Sequence, residues 1–503
     1  MARTRQVRDP PRKNWVRESA RRSIVAAITI GRDEFRDKVH ACWMGKSIGG
    51  TLGGPWEGKK HAHGLTFYEP VPHEAAPNDD LDLQLVWLKM LEDCGPDPSV
   101  RTFADYWSRH AARYPWDEYG VFGRNLARGL VPPVAGCFEN YYVDNMGSPI
   151  RSEIWACLHA GDPEAAARMA WKDSVLDHAG GEGMWGEMFW AAVQAAAFVE
   201  RDPLVLIRLG LEMIPMASHV ARAIREALWC HENGKTWGEA RERIVALFGQ
   251  NHPCHAVPNH GFEIIGWLYG RDFGDRLCKA VNCGYDTDCT GATLGALLGI
   301  LDGTAGIPQR WCEPVGERIV LHRFTDLPGA PTTLGELTDR TVTLAEKATE
   351  AKEDVAFGRA TRLPEDLRTR LFRNAQAREA RAQDVHAGVE MCGNREVALH
   401  YGGEPVLRPG IGREVRVTVD GREEPAELSA PPGWTVRRLG PAAFLITSDQ
   451  PVPDRNRLTV RLGGDSVDFT ILGPGEAKGF PASQNVPVCP KCCARVEACF
   501  CPK

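Results

Sequence analysis

From about Asp33 to about Glu317 the apolar residues recur at three- and four-residue steps. Segments such as FRDKVHACWMGKSIGG, LDLQLVWLKMLED, EAAARMAWKDSVL, EMFWAAVQAAAFVE and HVARAIREALWCHEN each carry that helical period. Gly and Pro clusters, CGPDPS, VPPVAG and AGDPE, break them apart. In AGDPEAA the order predicts a helix start, with Asp162 as N-cap and Pro163 in the first turn. After about residue 388 the texture changes to short β-rich runs between turn residues: REVALHY, REVRVTVDG, TVRRLG, AAFLITS, NRLTVRLGG and VDFTILG. The expected organisation is a disordered basic arm over 1–30, an all-α domain over 31–320 and a charged helical connector over 321–387. A small β-sandwich-like domain follows over 388–475, then a Cys-rich tail over 476–503.

Composition narrows the classes. A chain of 503 residues exceeds one ordinary core, so two or three domains are expected. A formal net charge of -6 gives no global basic surface, which disfavours nucleic acid as the main partner. No apolar run approaches the roughly 20 residues of a membrane span, so no membrane partner is expected. The apolar SIVAAITI behind Arg21 and Arg22 lacks a clear small-residue cleavage site, which argues against an export signal. Most of the 16 cysteines are scattered in apolar contexts, pointing to reduced thiols and a cytoplasmic protein. The tail differs. Cys489 with Cys492 and Cys499 with Cys501 could hold one structural Zn2+, leaving Cys493 spare; a disordered tail or redox-active thiols are the competing readings.

Two acidic stretches carry the candidate chemistry. Asn78, Asp79 and Asp80 stand where a helix begins, and Asp286 and Asp288 stand before ATLGALLGIL. Either set can cap a helix N-terminus. Either can also hold a hard divalent cation, because crowded carboxylates repel unless a cation binds them. Gly291, Gly295 and Gly299 recur every four residues, as do Gly45, Gly49 and Gly53 before Glu57. Two helices with such faces can pack closely and bring Glu57, Asp79, Asp80, Asp286 and Asp288 together. His61, His63 and His73 are either a further metal site or solvated loop residues at a cleft rim. The aromatic stretches YPWDEYGVFGRN and CFENYYVDN are either a stacking wall or core.

In order, DKVHACWMGKSIGGTLGGPWEG, NDDLDLQLVWL, GDPEAAARMAWKDSVLDHAGGEGMWGEMFWAAVQAAAF and NCGYDTDCTGATLGALLGILDGTAGIP resemble the ADP-ribosylglycohydrolase family over about 33–315. The resemblance implies an orthogonal all-α bundle with two Mg2+ (or Mn2+) in a central cleft. It implies hydrolysis at the anomeric carbon of ADP-ribose, on an ADP-ribosylated protein or a small ADP-ribose-like substrate. Residue by residue, it implies metal ligands at Asn78, Asp79, Asp80, Asp286, Asp288 and Cys289. It implies catalytic roles for Glu57, in a mobile loop, and Asp80, and substrate contacts at Gly147, Arg151, His178, Gly284 and Tyr285. Three positions depart from the family pattern. Asn78 and Cys289 replace hydroxyl ligands, and Gly50 replaces an aspartate. A neutral thiol is a poor ligand for a hard ion, and Thr287 or Thr290 could compensate for it. The alternatives are a non-catalytic nucleotide-, ADP-ribose- or partner-binding module, or a diverged hydrolase of another N- or O-glycoside.

Overall fold

Side-chain caps set where many of the helices begin. The computed structural model describes residues 27–350, 352 and 354–474; the expected arm before residue 27 and the tail cysteines Cys489, Cys492, Cys493, Cys499 and Cys501 lie outside them. Asp162 accepts a hydrogen bond from Ala165 N at 3.3 Å, with Pro163 opening the helix Pro163–Ser174. Thr236 and Glu239 close a reciprocal capping box at the start of Trp237–Phe248.

The helices Arg32–Gly53 and Thr287–Asp302 lie antiparallel at the centre, backbone against backbone. A Cβ added at Gly49 would sit 1.9 Å from the Gly291 carbonyl oxygen, and one at Gly45 2.1 Å from that of Gly295. Gly299 meets the Ala41 carbonyl in the same way, at 2.1 Å. The four-residue glycine repeats on both helices are therefore the register of this one contact. Glycine costs about 1 kcal/mol per residue in a helix relative to alanine, and close packing offsets that cost. Further helices, including Glu182–Ala197 and Ala256–Tyr269, pack around the pair. Their core is rich in fully buried indoles: Trp43, Trp87, Trp107, Trp155, Trp190 and Trp311.

The C-terminal region is antiparallel sheet. Ala387–Cys392, Arg395–His400, Arg413–Val419, Ala443–Thr447 and Thr435–Arg438 form one sheet in that spatial order. Asp465–Leu472, Arg455–Leu462 and Glu427–Ser429 form a second. The six β-rich runs of the sequence each supply a strand, and two strands, Ala387–Cys392 and Glu427–Ser429, were not anticipated.

One pairing corrects the expected segmentation. Ile28–Gly31, spanning the end of the stretch assigned to the arm and the first residue of the all-α domain, is a strand paired in parallel with Val355–Gly358, inside the stretch assigned to a helical connector. Ile28 and Ile30 point into the core at 2% and 0% exposure, which is the half-buried surface β-branched residues fit. The partner lies more than three hundred residues away, beyond any local pattern. Among the described residues no helix is long and apolar enough to cross a membrane.

Candidate metal and hydrolytic centre

The glycine contact places the acids. Gly53, at the end of the first central helix, abuts the Thr287 carbonyl at the start of the second, so the following turn carries Glu57 to Asp286 and Asp288. The helix Asp79–Cys94 delivers Asp80 from a third direction. Two groups of three potential ligands result, with the ligand atoms of each within 4.8 Å of one another: Glu57, Cys254 and Asp286 in one, Asp80, Asp288 and Cys289 in the other.

The two capping readings separate here. Asn78 is a true cap: its Oδ1 accepts the Asp80 N–H at 2.9 Å. Asp286 occupies the N-cap position of Thr287–Asp302 and makes no side-chain cap bond. Both of its carboxylate oxygens are buried without a hydrogen-bond partner, as are Asp80 Oδ1 and Asp288 Oδ1. Buried carboxylate oxygens left unpaired are costly, and a cation is the partner that fits them.

Electrostatics agrees with that arrangement. The Asp288 charge, then burial, then Asp79 and Asp80 hold Glu57 well above the usual carboxylate range. Burial, then Asp288 and Glu57, do the same to Asp286. Burial raises Asp288. Asp79, raised to about 7 by burial and then by Asp288 and Glu118, borders the centre without joining either group. Burial also raises Asp80, opposed by the ammonium of Lys46, whose Nζ lies 3.6 Å from Asp80 Oδ1 and 3.1 Å from Glu153 Oε2.

The departures from the family pattern have a geometry. Because the Asn78 oxygen is spent on the cap, its Nδ2 faces Asp288 Oδ2 at 3.5 Å. A Cβ at Gly50 would lie 2.8 Å from that same Nδ2, so the amide of residue 78 occupies the room a side chain at residue 50 would need. The two departures are one change in packing. Thr287 and Thr290 donate to the backbone carbonyls of Gly53 and Thr287, at 2.8 and 3.2 Å, and stand in neither ligand group.

Several of the residues expected to contact substrate are buried and paired within the chain. Arg151 is fully buried, bidentate to Asp177 at 2.9 Å and paired with Asp173. His178 is fully buried between Asp177, at 2.6 Å, and Glu118, at 3.6 Å. Gly147 is buried where a Cβ would strike Glu118 Oε1. Gly284 and Tyr285, both in the left-handed backbone region, pin the Glu57 turn: Gly58 N donates to Tyr285 O at 2.8 Å and Tyr285 N to Lys59 O at 3.1 Å. Glu57 is thus held by these bonds rather than carried on a free loop. His61 and His63 meet edge to face at 4.5 Å, yet His61, His63 and His73 form no three-ligand group among the described residues. Of the aromatic stretches, Tyr114 and Tyr119 are core, whereas Trp116 is 38% exposed and packs on Phe324 and His322.

Sequence reasoning missed Cys254, Lys46, Glu118 and His252. The stretch HPCHAVPNH, with three ligand-type residues in four, carried the signal for Cys254 and His252. His252 Nε2 reaches Asp117 Oδ2 at 3.1 Å, and Asn259 Oδ1 accepts the Asp286 N–H at 3.2 Å.

Converging helix ends thus bring together a buried acidic centre, with Glu57 partly exposed beside it. A profile of the family described as ADP-ribosylglycohydrolase matches residues 31–353, and the chain belongs to that family, whose members are hydrolases acting on glycosidic bonds. A solved structure titled "ADP-ribosylglycohydrolase-related protein complex" is 20% identical, covering 63% of this chain and 98% of that one, with a TM-score of 0.40. No curated protein matches the chain.

Proposed function

We propose that this protein is a divalent-metal-dependent glycohydrolase. It cleaves the anomeric bond of ADP-ribose joined to a protein side chain or a small acceptor. The observation that carries this reading is the set of buried, partnerless oxygens on Asp286 and Asp288. Asp80, Asp286, Asp288 and Glu57 would hold the ions, with Asp79 at the border. Bound divalent ions supply Lewis acidity, which holds ribose hydroxyls and lowers the pKa of a water. Glu57, half-buried at the mouth, takes the proton of the attacking water. Lys46 opposes the effect of burial on Asp80 and fixes its carboxylate. Trp116, 38% exposed and packed on Phe324, offers ring surface for a base. The free, mostly buried thiols fit a cytoplasmic setting.

The test is a turnover screen with Mg2+, Mn2+ and Zn2+ on ADP-ribosylated Arg and Ser peptides, ADP-ribose esters and simple ribosides, read by product mass. Turnover that Asp286→Ala abolishes is the expected result. Ligand binding without turnover would instead favour a binding module, a reading that the diverted amide of Asn78 supports.

A further inference from the structure

Each ligand group contains a thiol. Cys254 comes from the loop before Ala256–Tyr269, and its Sγ points at Glu57 Oε1 at 3.9 Å, beside Asp286. Cys289 comes from the first turn of Thr287–Asp302, and its Sγ points at Asp80 Oδ2 at 3.6 Å, beside Asp288. A buried cysteine is ordinarily a small apolar filler. These two aim sulfur at carboxylates, and the neighbouring carboxylate in each group, Asp286 or Asp288, retains unpaired buried oxygen. One thiol could be avoided by a shift of the ion. With a thiol in both groups, no three-ligand group among the described residues consists of carboxylate oxygen alone.

We propose that Cys254 and Cys289 are sulfur ligands and that the centre prefers a thiophilic divalent ion such as Zn2+ over Mg2+. This rests on the metal-dependent reading above and specifies the ion. Mg2+ demands near-octahedral oxygen ligands and tolerates sulfur poorly, whereas mixed thiolate and carboxylate sets suit Zn2+ and Co2+. Binding releases the thiol proton to solvent as each metal–sulfur bond forms.

The experiment uses the full chain, its Cys254→Ser and Cys289→Ser variants and the double variant. All share the same tail cysteines, so differences between them report the centre alone. Co2+-loaded wild type minus the double variant is expected to show a thiolate-to-cobalt charge-transfer band. In Zn2+/Mg2+ competition, read by metal analysis after dialysis, each serine variant is expected to shift the preference toward Mg2+ by about tenfold or more. Identical spectra and preferences in proteins with wild-type circular dichroism would overturn the proposal. In that event, metal that binds wild type and is lost in Asp286→Ala leaves the metal-dependent reading standing. Metal binding unaffected by Asp286→Ala, or absent from wild type, removes both.

Discussion

Burial raises the Asp288 carboxyl above its ordinary value, and the hydrogen bonds from Asp286 and the backbone and the charge of Lys46 only partly offset it. A carboxyl raised in the fold keeps a proton that the unfolded chain has lost, so in the metal-free protein it costs stability as pH rises from about 4. Asp288→Asn is therefore expected to raise the metal-free Tm at neutral pH while abolishing stabilisation by added metal. Thermal melts with and without metal check both halves. The same protons compete with the ion, so metal affinity in calorimetry should climb between pH 6 and pH 8, spanning the value of about 7 at Asp79. His178 behaves oppositely. Burial alone would lower it, but Asp177 and then Glu118 outweigh burial and raise it to about 9. Its contribution is fully present below about pH 6.5 and is lost as pH rises through about 9. His178→Gln should accordingly flatten the dependence of Tm on pH in that window. The identity of the four aspartates and Glu57 was legible as a pattern. Cys254 was not, because it reaches the centre from a loop that shares no motif with them.

At the scale of elements, the fold turns on the central helix pair. Gly49→Ala drives a methyl group into the Gly291 carbonyl, and nothing on either backbone can yield without moving the acids. A loss of several kcal/mol, near the limit for a single substitution, is expected, with chemical denaturation as the readout. Gly54→Ala is the control. Its backbone is right-handed helical, at φ -48 and ψ -46, and nothing lies within 4 Å of an added Cβ. It should be neutral or stabilising by up to about 1 kcal/mol. The four-residue glycine period announced close packing in the sequence. It did not say that Arg151 and His178, also in family-like motifs, would be sealed into a buried charge network with Asp173, Asp177 and Glu118. Their type suits either role, and only their neighbours decide.

At the scale of the molecule, the strand Ile28–Gly31 ties the start of the described chain to Val355–Gly358, beyond the last helix of the bundle. Ile30→Ala should cost roughly 2–4 kcal/mol, as for a fully buried large-to-small change, and a chain trimmed to residue 31 should melt lower than one starting at residue 27. The sheets join the bundle through Arg101–Glu390, at 3.2 Å, and the Val389 N to Pro132 O bond, at 2.9 Å. A cavity of about 580 Å³ lies along that junction and is lined by Arg101, Asp105, Glu390, Arg455 and Asp468, far in kind from the acidic centre.

By itself the sequence determined what is local or periodic: helices with their caps, six of the eight C-terminal strands, the glycine faces and the four aspartates. These follow from contacts within a few residues, which order along the chain encodes directly. Only the tertiary structure decided what depends on distant segments meeting. It paired Ile28–Gly31 with Val355–Gly358, gave the Asn78 oxygen to a cap and left those of Asp286 without a partner. It also placed one thiol in each carboxylate group, since burial and proximity, which set charge and ligand chemistry alike, are properties of the folded chain.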